Sequence, residues 1–336
     1  MKGLLNKEEI MIISERKISK DLAYHRALIF RSQLNSEDAK KLSVLERGFA
    51  GECIYDEVFD DVGHGSVFVF RDIYLSIEDS VAQYDTLIVS DAGITVNEIK
   101  NYSGFYRVEK EKWFAGNFEV PDDPPSQLKR AMNKLLGLQY IHRLNFKISG
   151  KVVFPHIDFR LNCDNQEVRK KLVMRSELRD YLKQFKNDYA GRYAEGIVDA
   201  ISAHIIDNPY FDKSADFEAV RKGLYCGNCG SFEVEKLSYH FFCPSCGSKE
   251  TKEYHIIRAL SDYTVLFMNE KLTRKRFLEF IDYRLSPRTV VRMLGKYCTR
   301  FEMSTASYYE FNYGTYEDVV GNQEYIRRYK NHLTKI

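Results

Sequence analysis

The chain has 336 residues, 44% of them hydrophobic, and a formal net charge of +2. That length and composition exclude a disordered chain and call for two or three domains with their own cores. The near-neutral charge neither requires nor rules out a nucleic-acid partner, which would have to meet a local basic surface.

The N-terminus is interrupted by Lys2, Lys7, Glu8 and Glu9, and no stretch approaches the roughly 20 apolar residues of a membrane span. No membrane association and a cytoplasmic location are therefore expected. Residues 1 to about 34 read as helical, and Asn35 and Ser36 open a second helix that runs through Leu42, Phe49, Ile54 and Val58. Gly48 and Gly51 lie inside that helix, where glycine costs about 1 kcal/mol unless something approaches closely.

From Val67 the pattern changes to β-branched and aromatic runs at 67–74, 83–90 and 94–100, separated by turn residues. A strand-rich stretch reaches Trp113, and Pro124 and Pro125 precede a helix expected over 126–145. A short buried strand follows at 151–155, and 165–205 is charged and mostly helical. Residues 224–254 hold four cysteines, and the remainder is helical up to an aromatic, irregular end between Tyr308 and Tyr316. The expected division is an N-terminal helical segment (1–35), an α/β domain (36–150), a helical connection (151–222), a cysteine module (223–255) and a helical C-terminal region (256–336). No internal repeat is visible, and no Gly-x-x-x-x-Gly-Lys loop is present, which argues against an NTP-driven motor.

Asp91, Ala92 and Gly93 separate two apolar runs and read as a hairpin turn. A two-residue loop pairs Ser90 with Gly93 and, counting back, Asp85 with Glu98 and Gln83 with Lys100. Strand alternation places all four polar residues on the face that continues as Leu87, Val89, Ile94 and Val96. Charges on a core-facing side survive by pairing with one another or by binding an ion. An ordinary ion pair between Lys100 and one of the carboxylates is as good a reading of the pattern alone as a catalytic site.

The run Gln83-Tyr84-Asp85, then Glu98-Ile99-Lys100-Asn101, with Gly51-Glu52 on a preceding helix, resembles the nuclease-related domain (NERD) family of the PD-(D/E)xK superfamily over about residues 44–145. Trp113 and a proline with Gln127 opening a helix follow in the same order. The resemblance implies a restriction-endonuclease-like α/β core, a central mixed sheet flanked by helices. It also implies Mg²⁺ or Mn²⁺ held by Asp85, Glu98 and the carbonyl of Ile99, and catalysis by Lys100 with Glu52 and Gln83. Hydrolysis of a phosphodiester needs an activated water and neutralisation of charge growing on phosphorus. Tyr84 in place of proline and Asn97 in place of an apolar residue depart from the family without removing a ligand.

Cys226-x-x-Cys229 and Cys243-x-x-Cys246 are one hairpin apart, each pair followed by glycine (Gly230, Gly247), and fit a closed tetrahedral zinc ribbon. Cys53, Cys163 and Cys298 read as small core residues. Tyr225, Phe232, Tyr239, Phe241 and Phe242 would form either the module's core or a stacking platform. Arg284, Arg288 and Arg292 recur at helical spacing, as a phosphate-tracking face or a solvated one. Together these readings point to a metal-dependent nuclease acting on DNA, RNA being left open. The alternative is an inactive nucleic-acid-binding or protein-interaction module that uses the zinc ribbon.

Overall fold

The β-branched runs assemble into one seven-stranded mixed sheet in a computed structural model that describes residues 12–33, 35–110, 112–302 and 307–321. The chain divides into two units, residues 1–17 with 44–209 and residues 18–43 with 210–336, the first boundary pair enclosing α1 (Lys20–Arg31) and the start of α2 (Ser36–Val62).

In the first unit the strands are β1 (Ile12–Ser14), β2 (Phe68–Ile77), β3 (Ser80–Ser90), β4 (Gly93–Ile99), β5 (Gly104–Glu109), β6 (Lys112–Ala115), β7 (Phe118–Glu119), β8 (Lys147–Phe154), β9 (Phe159–Cys163), β10 (Leu172–Met174) and β11 (Ile205–Ile206). Besides α2, its helices are α3 (Pro124–His142), α4 (Gln166–Arg169), α5 (Arg175–Lys183) and α6 (Arg192–Ser202). The main sheet runs β1-β2-β3-β4-β8-β10, with β11 also on β2, and β5 to β7 pair with β9 in a smaller sheet. Antiparallel pairs β2–β3 and β3–β4 sit beside parallel pairs β4–β8 and β8–β10, so the sheet is mixed and flanked by helices.

Both faces of this sheet are buried. Leu87, Val89, Ile94, Val96 and Val152 pack with Leu128, Leu135 and Leu138 of α3 and Ile197 of α6. Ile88, Ile99, Val153 and Val173 pack on the other side with Tyr55 and Phe59 of α2 and Leu178 and Leu182 of α5. The polar residues of that second face are therefore enclosed and hydrogen-bonded, as buried polar groups must be. Asn97 accepts from the Tyr181 hydroxyl at 2.5 Å and donates to Tyr55 Oη at 2.8 Å.

Two organisational expectations need correction. Residues 12–14 are a strand, because their backbone groups pair in parallel with Val69 and Phe70; the helical reading of residues 1–11 lies outside the described residues. Within the 151–222 segment expected as a helical connection, β8 is paired along β4, and β10 and β11 complete the same sheet beside α4, α5 and α6.

The second unit contains the three-stranded ribbon β12 (Glu235–Lys236), β13 (His240–Phe242) and β14 (Lys249–Thr251). Helices α7 (Lys252–Leu266), α8 (Arg274–Phe280) and α9 (Pro287–Tyr297) follow, then the hairpin β15 (Cys298–Glu302) and β16 (Ser307–Phe311), and α10 (Tyr316–Val320). The aromatic stretch read as irregular is thus partly strand, with Tyr308 and Tyr309 paired to Phe301 and Arg300. Tyr24 and Leu28 of α1, Phe241, Ile256, Leu260, Phe277 and Leu294 share its core. Residues 322–336 of the expected C-terminal helical region lie outside the described residues.

Candidate functional site

The turn dictates the register. Asp91 and Ala92 form the two-residue loop, Gly93 takes φ +126°, and pairing runs from Ser90–Gly93 to Thr86–Asn97. A β-carbon on Gly93 would lie 2.1 Å from the Lys147 carbonyl oxygen, so only glycine fits where β4 starts along β8. Beyond Thr86 the ladder changes character. The β2–β3 register passes from Arg71–Thr86 to Ile73–Tyr84, leaving Asp72 and Asp85 unpaired opposite one another, with Asp72 at φ +48°. Alternation resets there, so Tyr84 joins Leu87 in the α3-side core and its hydroxyl donates to the Ala131 carbonyl at 3.0 Å.

Asp85 is freed from the ladder by that break and turns to the end of β4, where Oδ2 accepts the Ile99 N–H at 2.7 Å. Lys100 Nζ pairs with Glu98 Oε1 at 2.8 Å, their side chains 22% and 13% exposed. Glu52 arrives from α2, which can approach because Gly51 has no side chain: a β-carbon there would stand 2.3 Å from Asn101 Cβ. Gly48 has no such neighbour, and nothing in the structure explains it. Gln83 does not join the cluster directly. It is exposed, and its amide donates to Asp72 Oδ1 at 2.9 Å, because the break at Asp85 removes it from the face that strict alternation would give it.

The electrostatics follow from crowding. Burial, then the neighbouring Glu98 and Glu52 carboxylates, push Asp85 well above the usual carboxylate range, against the pull of Lys100 and the Ile99 N–H. Burial likewise raises Glu52, with Arg16 pulling it down and Asp72 and Asp56 pushing it up. Burial alone would lower Lys100, yet Glu98 and Asp85 outweigh it and hold the ammonium above its ordinary value. The cluster is short of positive charge beside Asp85.

Three participants were not foreseen. Arg16, just past β1, places Nη1 2.7 Å from Glu52 Oε2 and Nε 2.6 Å from Asp56 Oδ2. Asp56 is one helical turn beyond Glu52, a spacing visible in the sequence, and Asp72 lies opposite Asp85. Nothing in the local sequence of Arg16 signals its role, because the contact spans 36 residues of chain. His142 and His204, unrelated by spacing, also meet, Nε2 to Nε2 at 3.0 Å.

In the second unit the four cysteine sulfurs of Cys226, Cys229, Cys243 and Cys246 all lie within 4.8 Å of one another, an arrangement compatible with a zinc ribbon. The Cys226–Cys246 and Cys229–Cys243 sulfurs are 3.6 and 3.5 Å apart, near the about 3.8 Å of a tetrahedron with 2.3 Å zinc–sulfur bonds. Two matching knuckles build it: Gly230 N–H donates to the Cys226 carbonyl and Gly247 N–H to that of Cys243, both at 2.8 Å. Burial alone would raise the Cys246 thiol, but donors from Ser248 and Asn228 pull it down to about 6, whereas burial raises the thiols of Cys226 and Cys229, so crowding four sulfurs without a cation is unfavourable to their thiolates. Glu250 accepts the Gly227 N–H at 2.7 Å and pairs with Arg258 of α7, joining the first knuckle to the core. Tyr225 and Phe241 are core residues, whereas Tyr239 is 81% exposed. Arg284 donates to the Val234 carbonyl, while Arg288 and Arg292 lie exposed on α9.

Residues 47–155 match the family model described as the nuclease-related domain, a span that contains Glu52, Gln83, Asp85, Glu98 and Lys100 and ends before the cysteines. No curated protein and no solved structure matches the chain. Among the described residues no helix is long and apolar enough to cross a membrane.

Proposed function

We propose that this protein is a metal-dependent nuclease that hydrolyses phosphodiester bonds of DNA, with its catalytic centre at Asp85, Glu98 and Lys100. The observation that carries this reading is the meeting of the Asp85 carboxylate with the end of β4, where Glu98 and Lys100 pair, inside a nuclease-related domain.

The donor set fits a hard divalent cation: the oxygens are carboxylates, they are partly enclosed, and the charge beside Asp85 is not balanced by Lys100. Asp85, Glu98 and the Ile99 carbonyl would hold Mg²⁺ or Mn²⁺. When bound, that ion supplies Lewis-acid neutralisation of the phosphate and a more acidic water. The Ile99 N–H fixes one oxygen of Asp85, leaving the other to serve as ligand. Glu98 and Asp85 keep Lys100 protonated, so it acts as a cationic donor to a phosphate oxygen or to the attacking water rather than as a base. Glu52 borders the site from α2 with its carboxylate answered by Arg16, and Gln83 acts at one remove, through Asp72.

The cysteine cluster takes Zn²⁺ as a closed structural site in this reading, and a reducing, cytoplasmic setting suits its thiolates. The exposed Arg288 and Arg292 and the exposed Tyr239 offer phosphate and base contacts on the second unit.

The test is incubation with supercoiled, linear and single-stranded DNA and with RNA, in Mg²⁺ or Mn²⁺. DNA cleavage that stops with EDTA and in Asp85→Asn is expected. Intact substrates throughout would overturn the catalytic assignment; cleavage of RNA alone would correct the polymer.

A further inference from the structure

Resting on the divalent-ion reading of the Asp85 site, we propose that Arg16 is a built-in cation that keeps Glu52 and Asp56 out of metal coordination and limits the site to one divalent ion. The Arg16 side chain is only 4% exposed, so its charge is committed to the protein. Its guanidinium reaches four partners at once: Glu52 Oε2 through Nη1 at 2.7 Å, Asp56 Oδ2 through Nε at 2.6 Å, and the Asp85 backbone carbonyl and Thr86 Oγ1 through Nη2 at 2.9 and 3.4 Å. It therefore spans the gap between the α2 carboxylates and the strand that carries Asp85. Two-metal phosphodiester sites place their ions about 3.5–4 Å apart and bridge them with carboxylates. Here the acids that would have to complete such a second position are already answered by a fixed fork of donors.

The choice of arginine matters. A guanidinium does not lose its proton at any working pH, and its planar donors suit two carboxylates and a carbonyl together, which an ammonium could not match. The surroundings reinforce it. Asp56 also faces Arg71 Nε at 3.3 Å, so that carboxylate is held from both sides. Glu98, by contrast, pairs with the more mobile ammonium of Lys100, and Arg16 meets Asp85 at its backbone carbonyl rather than at its carboxylate, so these two carboxylates remain the place where an added cation would be welcome.

Divalent stoichiometry tests this without reference to activity. Protein with zinc in its cysteine site is titrated with Mn²⁺, the bound ions are counted by electron paramagnetic resonance, and those lost in Asp85→Asn are assigned to this site. Native protein is expected to hold one. Arg16→Met, which frees Glu52 and Asp56, is expected to hold two, with the line broadening of a coupled pair. Glu52→Gln keeps an oxygen for Arg16 and tests the same point without a buried unpaired charge; its Mn²⁺ affinity is expected within about threefold of native. Two coupled ions in native protein, one ion in a folded Arg16→Met, or a loss beyond about tenfold in Glu52→Gln would each overturn the role of Arg16 while leaving the divalent site standing. Absence of any Mn²⁺ that Asp85→Asn removes would instead remove the divalent site, and the role of Arg16 with it.

Discussion

Gly51 shows how a single residue sets the distance between a helix and a strand end. A methyl group at that position would stand 2.3 Å from Asn101 Cβ, so Gly51→Ala has to displace either α2 or the chain just past β4. A loss of about 1–3 kcal/mol in denaturant unfolding is expected from such overpacking, larger than for Gly48→Ala, which meets nothing within 4 Å. His25 makes a prediction of a different kind. Its buried ring lies 2.9 Å from Asp21 Oδ1 and 3.6 Å from Asp38, with Lys213 opposing. Burial alone would lower His25, but Asp21 outweighs it and raises the imidazole, while Asp21 itself is lowered by His25 and Lys41 against the effect of its own burial. A raised histidine contributes stability that is complete below its unfolded value of about 6.5 and is lost as pH rises through the folded one. The stability gap between native protein and His25→Gln should therefore be wider at pH 5 than at pH 9 in urea titrations; an equal gap at both would contradict the pairing. At this scale the sequence was partly legible. The hairpin register brought Asp85, Glu98 and Lys100 to one end of the sheet and the family resemblance added Glu52, but Gln83 was misplaced because period-two alternation presumes an unbroken ladder, and the left-handed Asp72 breaks it.

Turns and caps carry much of the organisation of the elements. Asp91, in the turn between β3 and β4, reaches across to the N-terminus of α6, where Oδ1 accepts the N–H groups of Gly191 and Ala194, both at 2.9 Å. It thus supplies a cap that α6 lacks locally, since Gly191 has no side chain. Asp91→Ala is expected to cost about 1–2 kcal/mol, readable as a lower melting temperature and faster amide exchange in the first turn of α6. The elements themselves were legible where local pattern governs: the strands of the hairpin, the helix after the two prolines, expected over 126–145 and found at Pro124–His142, and the two cysteine knuckles. They were not legible where pairing is remote. Ile12–Ser14 has too few residues to show a period and becomes a strand only because β2 offers a parallel edge. The charged 165–205 segment hides Leu172–Met174 for the same reason, as its partner β8 is distant in the chain.

The two units differ in what holds them. In the first, a sheet enclosed on both faces supplies the core, and its apolar runs made the α/β class readable. The second joins helices to a ribbon with little buried area of its own, anchored by the cysteine cluster, by Glu250 on Gly227 and by Arg284 on Val234. Removal of metal by a strong chelator is expected to abolish amide protection over residues 224–251 while β3, β4 and β8 retain theirs, because a small ribbon draws its folding energy from metal binding. Retained protection in the ribbon would show that the thiols alone suffice. The central claim concerns the first unit, and it is tested most directly by comparing native protein with Lys100→Ala in cleavage of the best DNA substrate, with Mg²⁺ or Mn²⁺ present and folding and zinc content verified in both. Lys100→Ala is expected to lose at least about 10²-fold in rate, the scale of removing one preorganised donor to developing charge. Equal cleavage by the two proteins would contradict it.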